Sequence, residues 1–170
     1  MEYVHIFTEK DPPGPILDLA SGDCHNALYL AQRHLPTIAC DKSAEVLSRG
    51  KKLAQQLGFA IEIWQVDLEQ KGINPLPEDS YGGIVVFRYL HRPLIPCIRK
   101  ALRLSGTLIY ETFTVDQPRF GKPHNPNYLL GAGELRHWFH DWKIIHYFEG
   151  IKEDPRRSVA QLVCQKTDQM

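Results

Sequence analysis

Most features that announce a function are missing from this sequence of 170 residues. Its four cysteines, Cys24, Cys40, Cys97 and Cys164, form no C-x-x-C pair. That spacing fits neither a zinc knuckle nor a disulfide framework. Cys40 and Cys164 lie in apolar runs and read as small buried hydrophobes. There is no charge excess either: 20 Lys and Arg stand against 20 Asp and Glu. No blanket of positive charge therefore argues for nucleic acid or an anionic membrane. No apolar run approaches the roughly 18 residues of a membrane span. The opening MEYVHIFTEK lacks the basic and apolar regions of a secretion signal. The expectation is a soluble cytoplasmic protein, one domain by length, that buries a core without disulfide or metal staples.

What is present alternates between strand-like and helix-like segments. Residues 15–20 (PILDLA) form a short buried run after a DPPG turn, and Ala27, Leu28, Leu30 and Ala31 share a helical face within residues 24–34. Residues 36–40 (PTIAC) read as a second strand ending at Asp41. Ser43 then caps a helix whose inner face is Val46, Leu47, Leu53, Ala54 and Leu57, with Gly50 on the same side and Gly58 closing it. A third strand at 59–66 ends at Asp67, and the continuous run GIVVF at 83–87 marks a central parallel strand. Pro93 and Pro96 start a helix with Ile98, Ala101 and Leu102 inside, and residues 107–113 form a fifth strand after a turn at Ser105 and Gly106. Residues 114–131 have no period. A short helix follows near 132–140, then two strands at 143–149 and 158–165 joined by a charged turn, which makes them antiparallel. The implied class is α/β, with a mostly parallel doubly wound sheet and an antiparallel strand near one edge.

The stretch ILDLASGDCH after the first strand looks like a cofactor loop, yet it keeps only Gly22; Ala20 and Cys24 stand where glycines are usual. Asp41, about 20 residues on, is placed for ribose hydroxyls. A dinucleotide needs bare N–H groups and a positive helix end facing its pyrophosphate. Asp18 and Asp23 would repel that group and would suit a ligand carrying an ammonium. S-adenosylmethionine has no phosphate, carries an amine and a sulfonium, and keeps ribose and adenine. The charge at the loop favours it over NAD.

ILDLASGDCHNALYLA followed by IACDKS, WQVDLE and GGIVVFRYLHRP resembles the motif series of class I methyltransferases, whose first motif is D-x-G-x-G-x-G. The likeness runs from about residue 14 to residue 165 and is nearest to the small TehB-like, tellurite-resistance-type group. It implies a Rossmann-like seven-stranded sheet of order 3-2-1-4-5-7-6. It implies S-adenosyl-L-methionine as cofactor, a methyl acceptor as partner, and a monomer or homodimer. The carry-over places Asp18, Ala20 and Gly22 in the first motif, and Asp41 with Lys42 at the ribose. It places Asp67 and Leu68 at the adenine, and Phe87 and Arg88 beside the methionine moiety. Cys24 in place of glycine is tolerable if the backbone there is already helical. The chain divides into a cofactor half at 14–113, an acceptor-side loop at 114–131, and a terminal helix and hairpin at 132–166.

In-line methyl transfer asks the protein for orientation and dryness, and for a base only when the acceptor must lose a proton. Candidates facing the acceptor are Tyr89, His91 and Arg92 after strand four, with Tyr110, Glu111 and Thr112 in strand five. His91 is a candidate base and Arg92 a candidate clamp for an anion, against the plainer reading that both cap the next helix. Glu111 needs a partner in its apolar strand, with Arg88 or Arg92 in reach. His137, His140 and Asp141 have metal-ligand spacing, but the interleaved Trp138, Phe139 and Trp142 favour an edge-of-core helix. Arg156 and Arg157 read as solvated. Residues 1–13 are too few for the covering helices such folds carry, so the loop 114–131 is expected to wall the acceptor, with Asn125 and Tyr128 touching it. A small-molecule acceptor is the leading expectation. RNA or protein acceptors, a non-catalytic cofactor-binding subunit and an NAD-type oxidoreductase are the alternatives.

Overall fold

A computed structural model describes residues 5–9 and 12–168. After helix α1 (His5–Glu9) come β1 (Ile16–Leu19), α2 (His25–Ala31), β2 (Thr37–Asp41), α3 (Ala44–Gln56) and β3 (Glu62–Gln65). The chain continues through β4 (Tyr81–Phe87), α4 (Ile95–Ala101), β5 (Leu102–Phe113), α5 (Glu134–Trp138), β6 (Lys143–Lys152) and β7 (Arg157–Gln165). The seven strands form one sheet in the order β3-β2-β1-β4-β5-β7-β6. Strands β3 to β5 are parallel neighbours, and β7 runs antiparallel to both β5 and β6. This is the Rossmann-like arrangement expected from the sequence.

The two faces follow from strand alternation. Leu17, Leu19, Ile84, Val86, Leu108, Tyr110, Leu162 and Cys164 point to one side, where Ile95 and Ile98 of α4 and Leu135 of α5 close the main core. Ile16, Val85, Ile109 and Val163 point to the other, against Phe7 of α1 and Leu30 of α2. Ala39 of β2 meets Ala27, Leu47 and Ala54 beside them. Phe7 packs on Gly83 and Ile16, near the amino ends of β4 and β1, so α1 covers the end of the sheet away from the cofactor loop.

Several boundaries differ from the sequence reading, each for a local reason. Ser43 does cap α3, its hydroxyl accepting from the Val46 N–H at 3.4 Å. The inward stripe of α3 is narrower than expected. Only Leu47, Gly50 and Ala54 are buried, because the small Gly50 and Ala54 draw the helix close, and Leu53 and Leu57 are left on its flank, 40% and 49% exposed. Leu102 opens β5 rather than closing α4. The Ser105–Gly106 turn survives as an irregularity inside β5, where Ser105 has φ +62° and the pairing steps from Tyr81–Leu102 to Gly83–Thr107.

The loop after β1 is the sharpest departure. Ala20, Gly22 and Cys24 have φ of 54°, 50° and 58°. Cys24 is therefore left-handed, not helical, and two side chains occupy conformations that favour glycine, at a cost of order 1–3 kcal/mol each. Cys24 is fully buried, and a Cβ placed on Gly50 of α3 would lie 2.5 Å from its Sγ and 2.6 Å from its Cβ. Gly50 thus makes room for Cys24, a close helix-to-loop contact where helix-to-sheet packing was expected. Gly50→Ala is expected to destabilise the protein by about 1–3 kcal/mol through overpacking, measured by denaturant unfolding. Adding Cys24→Gly should recover part of that loss, and strictly additive effects would contradict the contact.

Candidate functional site

The carboxyl ends of β1 to β4 converge on the loop of residues 20–24, and two carboxylates hold that loop from behind. Asp18, within β1, is 1% exposed, and its Oδ2 accepts from the Ala27 N–H at 2.9 Å. It caps α2 from inside the fold, filling a donor position that an external phosphate would otherwise use. The side chain of Asn26 also bonds it, while Oδ1 is buried without a partner among the described residues. Burial pushes the Asp18 carboxyl up to about 7, against the lowering effect of those hydrogen bonds. Asp41 at the end of β2 accepts from the Gly22 N–H through Oδ2 and from the Ser43 N–H through Oδ1, both at 3.0 Å. Asp23 is exposed and pairs with Arg49 at 3.3 Å, which softens the repulsion expected of it.

In front of this loop lies a cavity of about 650 Å³, within the range of ordinary ligand pockets. Of the expected cofactor residues, Ala20, Asp41, Lys42, Asp67, Leu68 and Arg88 line it. Asp18, behind the loop, and Gly22, within it, do not line the cavity, and Phe87 lines a different one. Asp67 accepts from the Glu69 N–H at 3.0 Å, so its loop turns sharply at the rim. Arg88 closes β4 with φ +55°, its N–H donating to the Glu111 carbonyl at 2.9 Å.

The expected acceptor residues divide. Tyr89 and Tyr128 line the cavity together with Phe113, Lys122 and Pro123. The Tyr89 hydroxyl donates to Glu69 Oε1 at 3.3 Å, and burial with that carboxylate pushes its phenol well above the usual tyrosine range. His91 stands outside the cavity, ahead of the 3₁₀ turn Arg92–Leu94. Arg92 is not a free clamp. Its Nε and Nη2 grip Glu134 at 2.6 and 2.9 Å, and Nη1 and Nη2 donate to the Asn127 and Leu129 carbonyls at 3.1 and 2.8 Å. The pairing lowers the Glu134 carboxyl from its ordinary range. Tyr110 is buried in the core, its hydroxyl donating to the Tyr89 carbonyl at 3.1 Å, so its ring positions Tyr89 and does not reach the cavity. Asn125 caps the turn Pro126–Tyr128 through the Asn127 N–H and does not line the cavity. The Glu111 carboxylate is bonded to Gln161 and lies 3.9 Å from Arg157; among the described residues no ion pair joins it to Arg88 or Arg92. Asp141 is paired with Arg99 at 2.5 Å, and no cluster of metal-binding side chains exists among the described residues.

Residue Gln117 escaped the sequence reading. It is 5% exposed; its Oε1 accepts from the Ser158 N–H at 2.9 Å and its Nε2 donates to the Lys122 carbonyl at 3.0 Å. With Arg92 it pins both halves of residues 114–131. The loop is thus ordered by side chains rather than by a period, and a polar residue between Pro-rich turns was its only signal.

The family model for a methyltransferase domain matches residues 16–106, more than half the sequence, and the chain belongs to that family. Its fold is that of TehB from Haemophilus influenzae, with TM-score 0.77 at 18% identity. The match covers 98% of this chain and 62% of TehB, so the chain spans about three fifths of that protein. An S-adenosylmethionine-dependent methyltransferase from Methanosarcina mazei matches at TM-score 0.76 and 14% identity, over 98% of this chain and 99% of its own. A putative type 11 methyltransferase from Sulfolobus solfataricus matches at 0.68 and 17%, over 99% and 92%. No curated protein matches the chain significantly. The family implies S-adenosylmethionine as the cofactor.

The internal cap carries a measurable signature. The folded carboxyl of Asp18, at about 7, lies above its ordinary 3.8. Between those values the folded state holds a proton that the unfolded chain has released, so this group's contribution to stability is lost as pH rises through 7. Asp18→Asn keeps an acceptor for the Ala27 N–H but cannot ionise. The thermal midpoint of the wild type is expected to fall from about pH 5 to about pH 8 more steeply than that of the variant; equal slopes would contradict the assignment.

Proposed function

We propose that this methyltransferase-domain chain moves a methyl group from S-adenosylmethionine to a small molecule in the cytoplasm. The observation that carries the reading is the cavity at the carboxyl ends of β2, β3 and β4, where Asp41 stands at the rim of a loop whose helix donor is already taken by Asp18. A diphosphate would find that donor occupied and the Asp18 carboxyl behind it. A phosphate-free nucleoside with an ammonium fits the acids that line the cavity at the strand ends, Asp41 and Asp67. Asp41 would take the ribose, its carboxylate retaining acceptor capacity beyond its two N–H bonds. Asp67 and Leu68 would flank the adenine, and Ala20 and Arg88 the amino-acid portion. The cofactor brings a sulfonium-bound methyl group open to in-line displacement.

The chain's own part is orientation and exclusion of water. Phe113, Pro123 and Tyr128 form an acceptor-side wall, held by the Gln117 and Arg92 straps. The wall carries no evident base: the Tyr89 phenol is held protonated and His91 lies outside. Lys42, Arg88 and Lys122 stand against Asp41, Asp67 and Glu69 around the space, so its lining is balanced in charge. The absence of a base in the wall favours an acceptor that arrives already nucleophilic, such as a thiolate or an oxyanion, over one that must be deprotonated in place.

Calorimetry with S-adenosylhomocysteine and NADH tests the cofactor, and binding of NADH alone would end the reading. Asp41→Ala is expected to weaken S-adenosylhomocysteine by at least about tenfold, the loss of charge-assisted hydrogen bonds. Tyr128→Ala should lower turnover about tenfold, found by a labelled-cofactor screen against thiols and oxyanions, while homocysteine-nucleoside affinity stays within about twofold. A Tyr128→Ala enzyme with full turnover would remove the wall from the argument.

A further inference from the structure

The sheet carries a second cavity, of about 290 Å³, that shares no lining residue with the first. Its floor follows from strand register. Phe87 of β4 pairs with Glu111 of β5, Glu111 with Gln161 of β7, and Gln161 with Phe148 of β6. Paired residues share a face, so a carboxylate and a carboxamide lie side by side between two aromatic rings. The next row toward α1 is Val85, Ile109 and Val163, apolar across β4, β5 and β7, with His146 of β6 paired to Val163. At the other end, Arg157 and Lys152 pair across the mouth of the β6–β7 hairpin, and both line the cavity.

The polar groups here are buried and incompletely served. Glu111 and Gln161 are each 8% exposed, and Gln161 Nε2 donates to Glu111 Oε2. Arg157 was expected to be solvated, but its side chain is only 19% exposed. Its Nη1 donates to the Pro155 carbonyl at 3.0 Å, and its Nη2 lies 3.9 Å from Glu111 Oε1, too far for a hydrogen bond. Its Nε is buried with no partner among the described residues. A buried guanidinium N–H without an acceptor is costly, and an acceptor placed against it relieves that cost. Arg157 already offsets the charge of Glu111. Lys152, whose ammonium lies 5.8 Å from the centre of the Phe148 ring, adds a further positive charge.

We propose that this cavity binds a small carboxylic acid with a compact hydrophobic body, at a site separate from the methyl-transfer cavity. The carboxylate meets the Arg157 guanidinium and the Lys152 ammonium, in charge-assisted contacts. The hydrophobic body lies on Phe87, Ile109 and Val163. A hydroxyl or ammonium next to the carboxylate reaches Glu111 Oε1. The proposal stands independently of the methyl-transfer reading.

Phenyllactate and its uncharged amide, phenyllactamide, are the probes, titrated into the full chain by calorimetry. The acid is expected to bind at least about tenfold more tightly than the amide, and R157Q should erase that preference. K152Q should reduce it by a smaller factor. Equal binding of acid and amide to the wild type overturns the proposal, and because it is read on the wild type, a poorly folding variant does not obscure it. Unchanged binding to a folded R157Q overturns it too. S-adenosylhomocysteine and 5′-methylthioadenosine, which lacks the amino-acid tail, serve as competitors. If the first displaces phenyllactate and the second does not, the cavity houses the cofactor's tail and the separate site is refuted. If neither does, the separate site holds, whatever becomes of the methyl-transfer reading.

Discussion

The carboxylates of Asp18 and Asp41 hold the loop after β1 in a shape its own residues disfavour. Asp18 reaches forward from inside the sheet to the first turn of α2, and Asp41 reaches across from the neighbouring strand to the Gly22 N–H. The backbone adds a third tie, from the Ser21 N–H to the Cys40 carbonyl. Without these bonds, an alanine and a cysteine at positive φ would relax toward ordinary conformations. The cavity exists because the loop does not relax. Much of the site chemistry therefore depends on acids whose first task is to shape the backbone.

The parts of the fold that were legible in the sequence are those where burial leaves a periodic trace. The apolar run of β4 and the acid-terminated strands β1 and β2 stood out because both faces of a parallel strand are covered. The order of the strands came with the family resemblance, since apolar runs do not say which strands are neighbours. Local rules failed where a tertiary contact decided the outcome. Leu53 and Leu57 have helical spacing, yet a narrower stripe of small residues sets the approach of α3. Leu102 reads as a helix position and Ser105–Gly106 as a turn, yet residues 102–106 extend β5 because Ser105 and Gly106 bond Lys166, just past the end of β7.

The candidate site was readable to a similar depth. Residues next to strand ends, such as Asp41, Asp67 and Arg88, are placed by topology and so were within reach of sequence. Arg92 and Arg157 were not, because the identity of their partners is set over distances of 35 to 46 residues along the chain. Arg92 sews the loop 114–131 to the start of α4. Arg157 brings a cation over the floor of the β5–β7 face. Arg92 reads as an anion clamp or a helix cap, and Arg157 as a solvated arginine, until the fold shows what they face. The same holds for Gln117, whose amide joins a loop carbonyl to the edge of β7.

The contact between Cys24 and Gly50 also bears on how such a sequence can change over time. Glycine at position 24 tolerates many neighbours, but a cysteine there requires an empty place on α3, only 2.5 Å from its sulfur. The two positions cannot drift independently. A lineage could lose the glycine of the loop only after the helix had acquired one of its own, so the permitted order of substitutions is built into the packing. A loop motif that looks eroded when read along the chain is, on this account, half of a pair whose other half lies 26 residues away.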